Sequence, residues 1–449
     1  MASTASTKQP VLLRKAEDYT IGVICSQPFE TDAVHAMFDY YVKPRDRIER
    51  APGDDNAYSF GIIGQYHVVV AQLGEMGKIE SSGAATDMKR SFPNIRLCLV
   101  VGVCSVIPKI KDQETLLGDV VVSTMVKQYD LVRQYEHKLD TKTEPNVVLR
   151  RPPPILRNFF KVLTTLQGTK DFQEELTMNL TKLLHHENMT AFGYPGYHKD
   201  HLYRPSCLHE HKHQECSVCA KNQFCEAATG ATCEQLGCPT DQLMLRARVA
   251  NMEILHAAMN AAEGEHKAEI KERLLVEMSP KLILGNVASG DRVIKSGSGR
   301  DQIAKEHGIV AFEMAAAGVW DTFPTVCITG ACDYGDSHNN KYWEKYAAAT
   351  AAASAKAFLE LFNEEGNVKY STDINVATAE VVRHTAPSSQ AGPQFNSINS
   401  NFKVLRVLQS PDAACSIDSS QLQPRVYVTR PNQDGRPDPY LPLHRGVLT

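Results

Sequence analysis

Residues 282–338 constrain the fold more than any other part of the chain. Three apolar runs stand in this one stretch: Leu282-Ile283-Leu284 leading to Val287-Ala288-Ser289, Phe312-Glu313-Met314-Ala315, and Val326-Cys327-Ile328-Thr329-Gly330-Ala331-Cys332-Asp333. Small residues and a carboxylate accompany each run. Continuous apolar runs of this length predict strands buried on both faces, which is the habit of parallel strands covered by helices. Open α/β sheets take their ligands at the carboxyl ends of such strands. That directs attention to the segments around Asp291, Glu313 and Asp333.

The rest of the chain supplies enough material for such a sheet. It has 449 residues, of which 43% are hydrophobic, so a sizeable core is expected. Further strands are predicted over 19–25, 95–103 and 117–123, and a hairpin over 54–60 and 62–73. Helices are predicted over 30–38, 154–166, 174–186 and 241–278, the last open to interruption at Gly264. A net charge of −4 gives no overall electrostatic support for a nucleic-acid or anionic-membrane partner. No run of about 18 apolar residues occurs, and the first residues carry no apolar stretch of signal-peptide type. Twelve cysteines, six of them in one window, are therefore read in a reducing, cytoplasmic setting.

Three longer stretches carry a resemblance: "ASGDRVIKSG" (288–297), "AFEMAAAGVWD" (311–321) and "CDYGDSHNNKYWEKYAAATAAASAKAFL" (332–359). Together with residues from about 18 to 362, they resemble the nucleoside phosphorylase and nucleosidase family of the purine and uridine phosphorylase type, and its fungal branch in particular. That resemblance implies a single three-layer α/β domain with a central mixed sheet flanked by helices. It implies cleavage of the bond between ribose and a base, with a nucleoside as partner, phosphate or water as nucleophile, no required cofactor and a homo-oligomeric state. Asp333 matches the acid that protonates the leaving base, and Glu30 the carboxylate that positions or activates the nucleophile. Gly77 in the glycine-rich turn before a helix, Gly102 and Ser105 after the 95–103 strand, Ser289, Val293, Ile294 and Met314 match positions that line base and sugar. Read without the resemblance, Glu30 sits in the first turn of a helix, where the macrodipole favours anions. Asp333 is then an ordinary loop aspartate capping the next helix, and Val293, Ile294 and Met314 are core residues.

The chain departs from the family at two places. Where the family closes a glycine-rich loop on sugar and phosphate, this chain has Gly102-Val103-Cys104-Ser105-Val106-Ile107-Pro108, with bulk where backbone amides would approach a ligand. Where the family has Glu-Met-Glu, this chain has Glu313-Met314-Ala315, so the glutamate that grips the ribose hydroxyls is missing. Two such charged hydrogen bonds contribute about 3–6 kcal/mol, equivalent to roughly 10²–10⁴ in rate if felt in the transition state. The runner-up function is accordingly a weakened enzyme that binds nucleosides as a sensor or scaffold.

Residues 193–278 are read as an insertion in a domain spanning 18–365. Its first part holds Cys207, Cys216, Cys219, Cys225, Cys233 and Cys238 with His209, His211 and His213. Cys216 and Cys219 form a Cys-x-x-Cys pair with metal-ligand spacing, so structural zinc is one reading and a loop of free thiols the other. Residues 1–17 are read as a flexible N-terminus. Residues 366–449 are rich in Ser, Pro, Gln and Asn and are read as a disordered tail.

Overall fold

The apolar runs build one mixed sheet. The computed structural model describes residues 15–43, 48–136, 139–141, 149–212, 216–221, 225–338 and 341–362. The main sheet comprises Ile21–Cys25 (β1), Tyr40–Val42 (β2), Ala57–Ile63 (β3), Tyr66–Gln72 (β4), Leu97–Val106 (β5), Val120–Gln128 (β6), Leu282–Ser289 (β7), Ile309–Glu313 (β8) and Thr325–Asp333 (β9). Their order is β8-β7-β6-β9-β5-β1-β4-β3-β2. Parallel pairing joins β5 to both β1 and β9, β1 to β4, and β7 to both β6 and β8. β9 runs antiparallel to β6, and the β2-β3-β4 edge is antiparallel throughout. The end of β5 also pairs with β8, Ser105 opposite Phe312 and Val106 opposite Ala311. Strands β5 to β9 thereby close into a five-stranded ring, which gathers the ends of β5, β8 and β9.

Helices cover both faces. They are Pro28–His35 (α1), Lys78–Ser91 (α2), Pro154–Leu163 (α3), Leu166–Leu184 (α4), Ala247–Ala261 (α5), Gly264–Met278 (α6), Gly297–His307 (α7) and Glu344–Leu361 (α8). Gly22 of β1 faces Met88 of α2. Gly22 pairs with Cys98, and Cys98 with Thr325. Gly330 lies five residues beyond Thr325, so strand alternation turns it to the opposite face, where it meets α8. The result is helix, sheet, helix: a three-layer α/β fold with a central mixed sheet.

Helix α8 is buried at every position from 346 to 359. Its run of alanines makes this geometry available, because small side chains let the backbone lie directly on the sheet. A Cβ at Gly330 would stand 2.0 Å from the Ala347 carbonyl oxygen.

Several elements differ from the sequence expectation for local reasons. Helix α1 starts at Pro28, two residues earlier than expected, because proline suits the first helical position and Glu30 caps the turn. Helix α4 begins at Leu166 rather than 174, with the Thr165 hydroxyl accepting from the Gly168 amide at 3.0 Å. The long helix expected over 241–278 is two helices, α5 and α6, broken at Gly264, which sits at φ 60°. Cys219, Cys225 and Cys233 stand in or beside single-turn helices rather than longer elements. No helix among the described residues is long and apolar enough to cross a membrane. The expected N-terminal segment up to residue 14, His213 and the tail at 366–449 lie outside the described residues.

Candidate active site

Glu30 is held by the turn that leaves β1. Its Oε2 accepts from the Ser26 and Gln27 amides, both at 2.8 Å, and its Oε1 accepts from the Val103 amide at 3.0 Å. The last bond crosses from α1 to β5. Gly102 makes room for it, since a Cβ there would stand 2.4 Å from Oε1. Only 5% of Glu30 is exposed. Burial pushes its carboxyl up to about 7, against the lowering effect of the three amides.

Glu313 closes β8 beside it. Its Oε2 accepts from the Ala315 and Ala316 amides at 2.7 and 2.9 Å, while its buried Oε1 has no partner in the protein. Burial raises this carboxyl too, opposed first by the nearby Ser289 hydroxyl. Ser289 also accepts from the Ala317 amide at 2.9 Å. Ser289 therefore stands behind Glu313 as its support, apart from the cleft lining.

Asp333 ends β9 at a register shift opposite Ser105. Its Oδ1 accepts from the Gly335 amide at 2.8 Å, and Gly335 takes the left-handed φ of 60° that this tight turn requires. Glu30, Gly102, Ser105, Val293, Ile294, Met314 and Asp333 all line one cleft of about 380 Å³. Small-molecule sites measure roughly 300–1,000 Å³. Val293, 60% exposed, and Met76, 49% exposed, flank its rim.

Gly77 lies elsewhere. It precedes α2 at φ 131°, and the first amide of that helix, from Lys78, donates to Asp291 Oδ1 at 2.8 Å. Lys78 is paired in turn with Asp130 at 2.6 Å. The anion that this helix N-terminus attracts is thus a carboxylate of the chain itself.

The 102–106 segment is the second difference. It continues β5 as a strand, paired with β9 on one side and with β8 on the other. β-Branched Val103 and Val106 favour the extended form, so no glycine-rich loop forms. Cys98 and Cys104 are buried, and burial pushes the Cys104 thiol up to about 12. Neither has the character of a nucleophile.

Glu344, at the start of α8, also lines the cleft and was not singled out by the sequence. Burial raises its carboxyl, Lys341 opposes this, and nearby Asp333 adds to it. The signal available was its place inside the 332–359 motif, where a first-turn glutamate reads as ordinary helix stabilisation. Away from the cleft, Cys216 and Cys219 come together with His211 and Cys225, their ligand atoms all within 4.8 Å of one another, and His209, Cys233 and Cys238 form a second such group.

No protein-family profile matches the chain. A curated protein from Hyaloscypha variabilis, named a nucleotide-binding leucine-rich repeat (NLR)-like protein, is 31% identical over 346 residues. The match covers 76% of this chain, and the chain spans 29% of the relative's length. Solved structures that align with it include the 5′-methylthioadenosine/S-adenosylhomocysteine nucleosidase of Helicobacter pylori, at 15% identity and a TM-score of 0.40, covering 76% of this chain and 98% of that one. The futalosine hydrolase of the same organism aligns at 15% identity and a TM-score of 0.40, covering 76% and 97%. The Streptococcus pneumoniae nucleosidase gives 14%, a TM-score of 0.37, 76% and 98%.

Proposed function

We propose that the cleft binds a purine nucleoside or a related compound and cleaves its N-glycosidic bond with water. The observation that carries this reading is Glu30, a buried carboxyl at about 7, in one cleft with Asp333. A base is most effective when its pKa lies near the working pH. In this reading water gives a proton to the Glu30 carboxylate and its oxygen bonds to the anomeric carbon. The glycosidic bond breaks, its electron pair passes to the base, and Asp333 supplies the proton that the base takes up. The unpartnered Glu313 Oε1 accepts from a sugar hydroxyl, partly replacing the carboxylate that Ala315 lacks.

Water is favoured over phosphate for a physical reason. The Val103 amide is already engaged by Glu30, residues 102–105 pair with β9, and Ser105 and Val106 pair with β8. Those amides do not form a phosphate cradle. The negative net charge agrees with a small-molecule substrate rather than nucleic acid or a membrane surface, and a cytoplasmic setting goes with this reading.

The test is release of free base from adenosine, inosine, guanosine and their 2′-deoxy forms, with and without phosphate. Loss of a positioned acid or base costs roughly 10²–10⁴ in rate, and Glu30→Gln and Asp333→Asn should each show it. Unchanged release in Asp333→Asn would overturn the assignment. Ala315 and the name of the curated relative, a nucleotide-binding leucine-rich repeat-like protein, favour a second reading, a nucleoside-binding sensor. That reading requires saturable nucleoside binding with no base released from any substrate.

A further inference from the structure

We infer that the described cysteines and histidines between Tyr203 and Arg246 hold two zinc ions, and that the second centre braces the loop that follows Asp333. The inference stands independently of the proposed catalysis.

The first centre is His211, Cys216, Cys219 and Cys225. Sγ of Cys216 lies 3.9 Å from that of Cys225, and His211 Nδ1 lies 3.4 Å from Cys219 Sγ and 3.8 Å from Cys225 Sγ. Zinc binds thiolate sulfur at about 2.3 Å and imidazole nitrogen at about 2.0–2.1 Å in a tetrahedron, so neighbouring ligand atoms stand roughly 3.6–3.8 Å apart. The observed separations cluster around those edges. They are far too long for a disulfide, whose sulfurs lie about 2.05 Å apart.

The second centre is His209, Cys233 and Cys238, with His209 Nδ1 at 3.8 and 3.3 Å from the two sulfurs. His209 Nε2 is engaged separately, 2.9 Å from the Ala231 carbonyl oxygen, to which it donates. This arrangement leaves Nδ1 as the bare nitrogen, the tautomer a metal needs. Only these three have ligand atoms all within 4.8 Å of one another, and the thiol proposed for the fourth position is Cys207. It packs in the same cluster, and it is the thiol remaining there once Cys225 serves the first centre.

The module also needs a staple. Its own buried core is Tyr203, Ala228, Leu236 and Cys238, and its helices are single turns. So small a core does not hold a fold without a cross-link or a metal.

The second centre touches the loop that follows Asp333. The His209 amide donates to Ser337 Oγ at 3.0 Å, Cys207 Sγ lies 3.9 Å from His338 Nε2, and His338 stacks on Tyr203 at 3.9 Å between ring centres. Ser337 and His338 stand four and five residues beyond Asp333. The metal thus fixes the far end of the turn whose near end is the Asp333–Gly335 hydrogen bond.

The experiment measures zinc in the full chain purified under reducing conditions without chelator. Two zinc ions per chain are expected, with one remaining in each of the double variants Cys216→Ser/Cys219→Ser and Cys233→Ser/Cys238→Ser. If a variant does not fold, stepwise release of zinc from the native chain by a mercurial, read with a chromogenic chelator, gives the same stoichiometry. Cobalt substitution should give the charge-transfer absorption of thiolate ligation. Hydrogen exchange across 333–338 should rise at least tenfold on loss of the second metal and stay within twofold on loss of the first. No stoichiometric zinc, or disulfides among these cysteines by mass spectrometry, overturns the module. One zinc per chain overturns the second centre, and unchanged exchange at 333–338 overturns the brace.

Discussion

Glu30 and Glu313 share a cleft but keep their carboxyls differently. Glu30 has both oxygens engaged by backbone amides, whereas Glu313 keeps one oxygen bare. A raised carboxyl binds its proton more tightly in the folded chain than in the unfolded one. Its contribution to stability is therefore full below the unfolded value near 4.5 and is lost as pH rises through about 7. At about 1.4 kcal/mol per pK unit, the loss is about 3 kcal/mol. Wild type should lose that much stability between pH 4 and 8 relative to Glu30→Gln, as measured by urea unfolding. Over the same interval base release should rise through about pH 7, because the working form of Glu30 is the anion. Gly102→Ala provides a control at the neighbouring residue. Its methyl group would push Oε1 off the Val103 amide, so turnover should fall at least tenfold. Ala315→Glu should favour ribosides over 2′-deoxynucleosides in base release. It should also destabilise the fold by about 1–3 kcal/mol, because a second carboxylate would be buried beside Glu313. Asp333 and Glu30 stand out in the sequence because their motifs are local, and the structure brings both to one cleft. The roles of Gly102 and Ser289 do not stand out, since they depend on partners 72 residues away (Glu30) and 24 residues away (Glu313) that only strand pairing brings near.

Elements built from continuous apolar runs were legible, and elements set by their packing or by a single residue were less so. The runs at 282–289, 309–313 and 325–333 are strands, as their composition implies. The barrel-like closure of β8 onto β5 had no sequence signal, because it follows from sheet curvature and two register pairs. The break between α5 and α6 depends on one backbone conformation at Gly264. The α8–β9 contact gives a sharp test of packing. In Gly330→Ala the new methyl group would overlap the Ala347 carbonyl, which is backbone and cannot rotate away. Overpacking a tight core costs about 1–3 kcal/mol where side chains can adjust. Here the helix itself must move, so a loss at or above the top of that range is expected in urea unfolding.

At the scale of the whole described molecule, the insertion read at 193–278 is bolted to the sheet domain through one buried ion pair, Arg248–Asp119, and through hydrogen bonds from a second buried pair of its own, Arg246–Asp200. Arg248 donates to both oxygens of Asp119 at 2.8 and 2.9 Å, and to the carbonyls of Glu277 and Ser279. Arg246 pairs with Asp200 at 2.9 Å and also donates to the Tyr334 hydroxyl. The Tyr334 hydroxyl donates to Asp200 Oδ1 at 2.8 Å, and Asp200 Oδ2 accepts from the Leu117 amide at 3.0 Å. Tyr334 is the residue next to Asp333, so this network ties the insertion to the near end of that turn, as the proposed zinc module does to its far end at Ser337 and His338. Removing one member leaves a buried charge without its partner, which costs about 3–5 kcal/mol. Arg246→Met and Asp200→Asn should each lose about that much in urea unfolding. The double variant should lose clearly less than the sum, since neither charge is then stranded. If the network also sets the position of Asp333, the double variant should recover stability without recovering base release. Parallel recovery of both would mean that the network only holds the insertion in place.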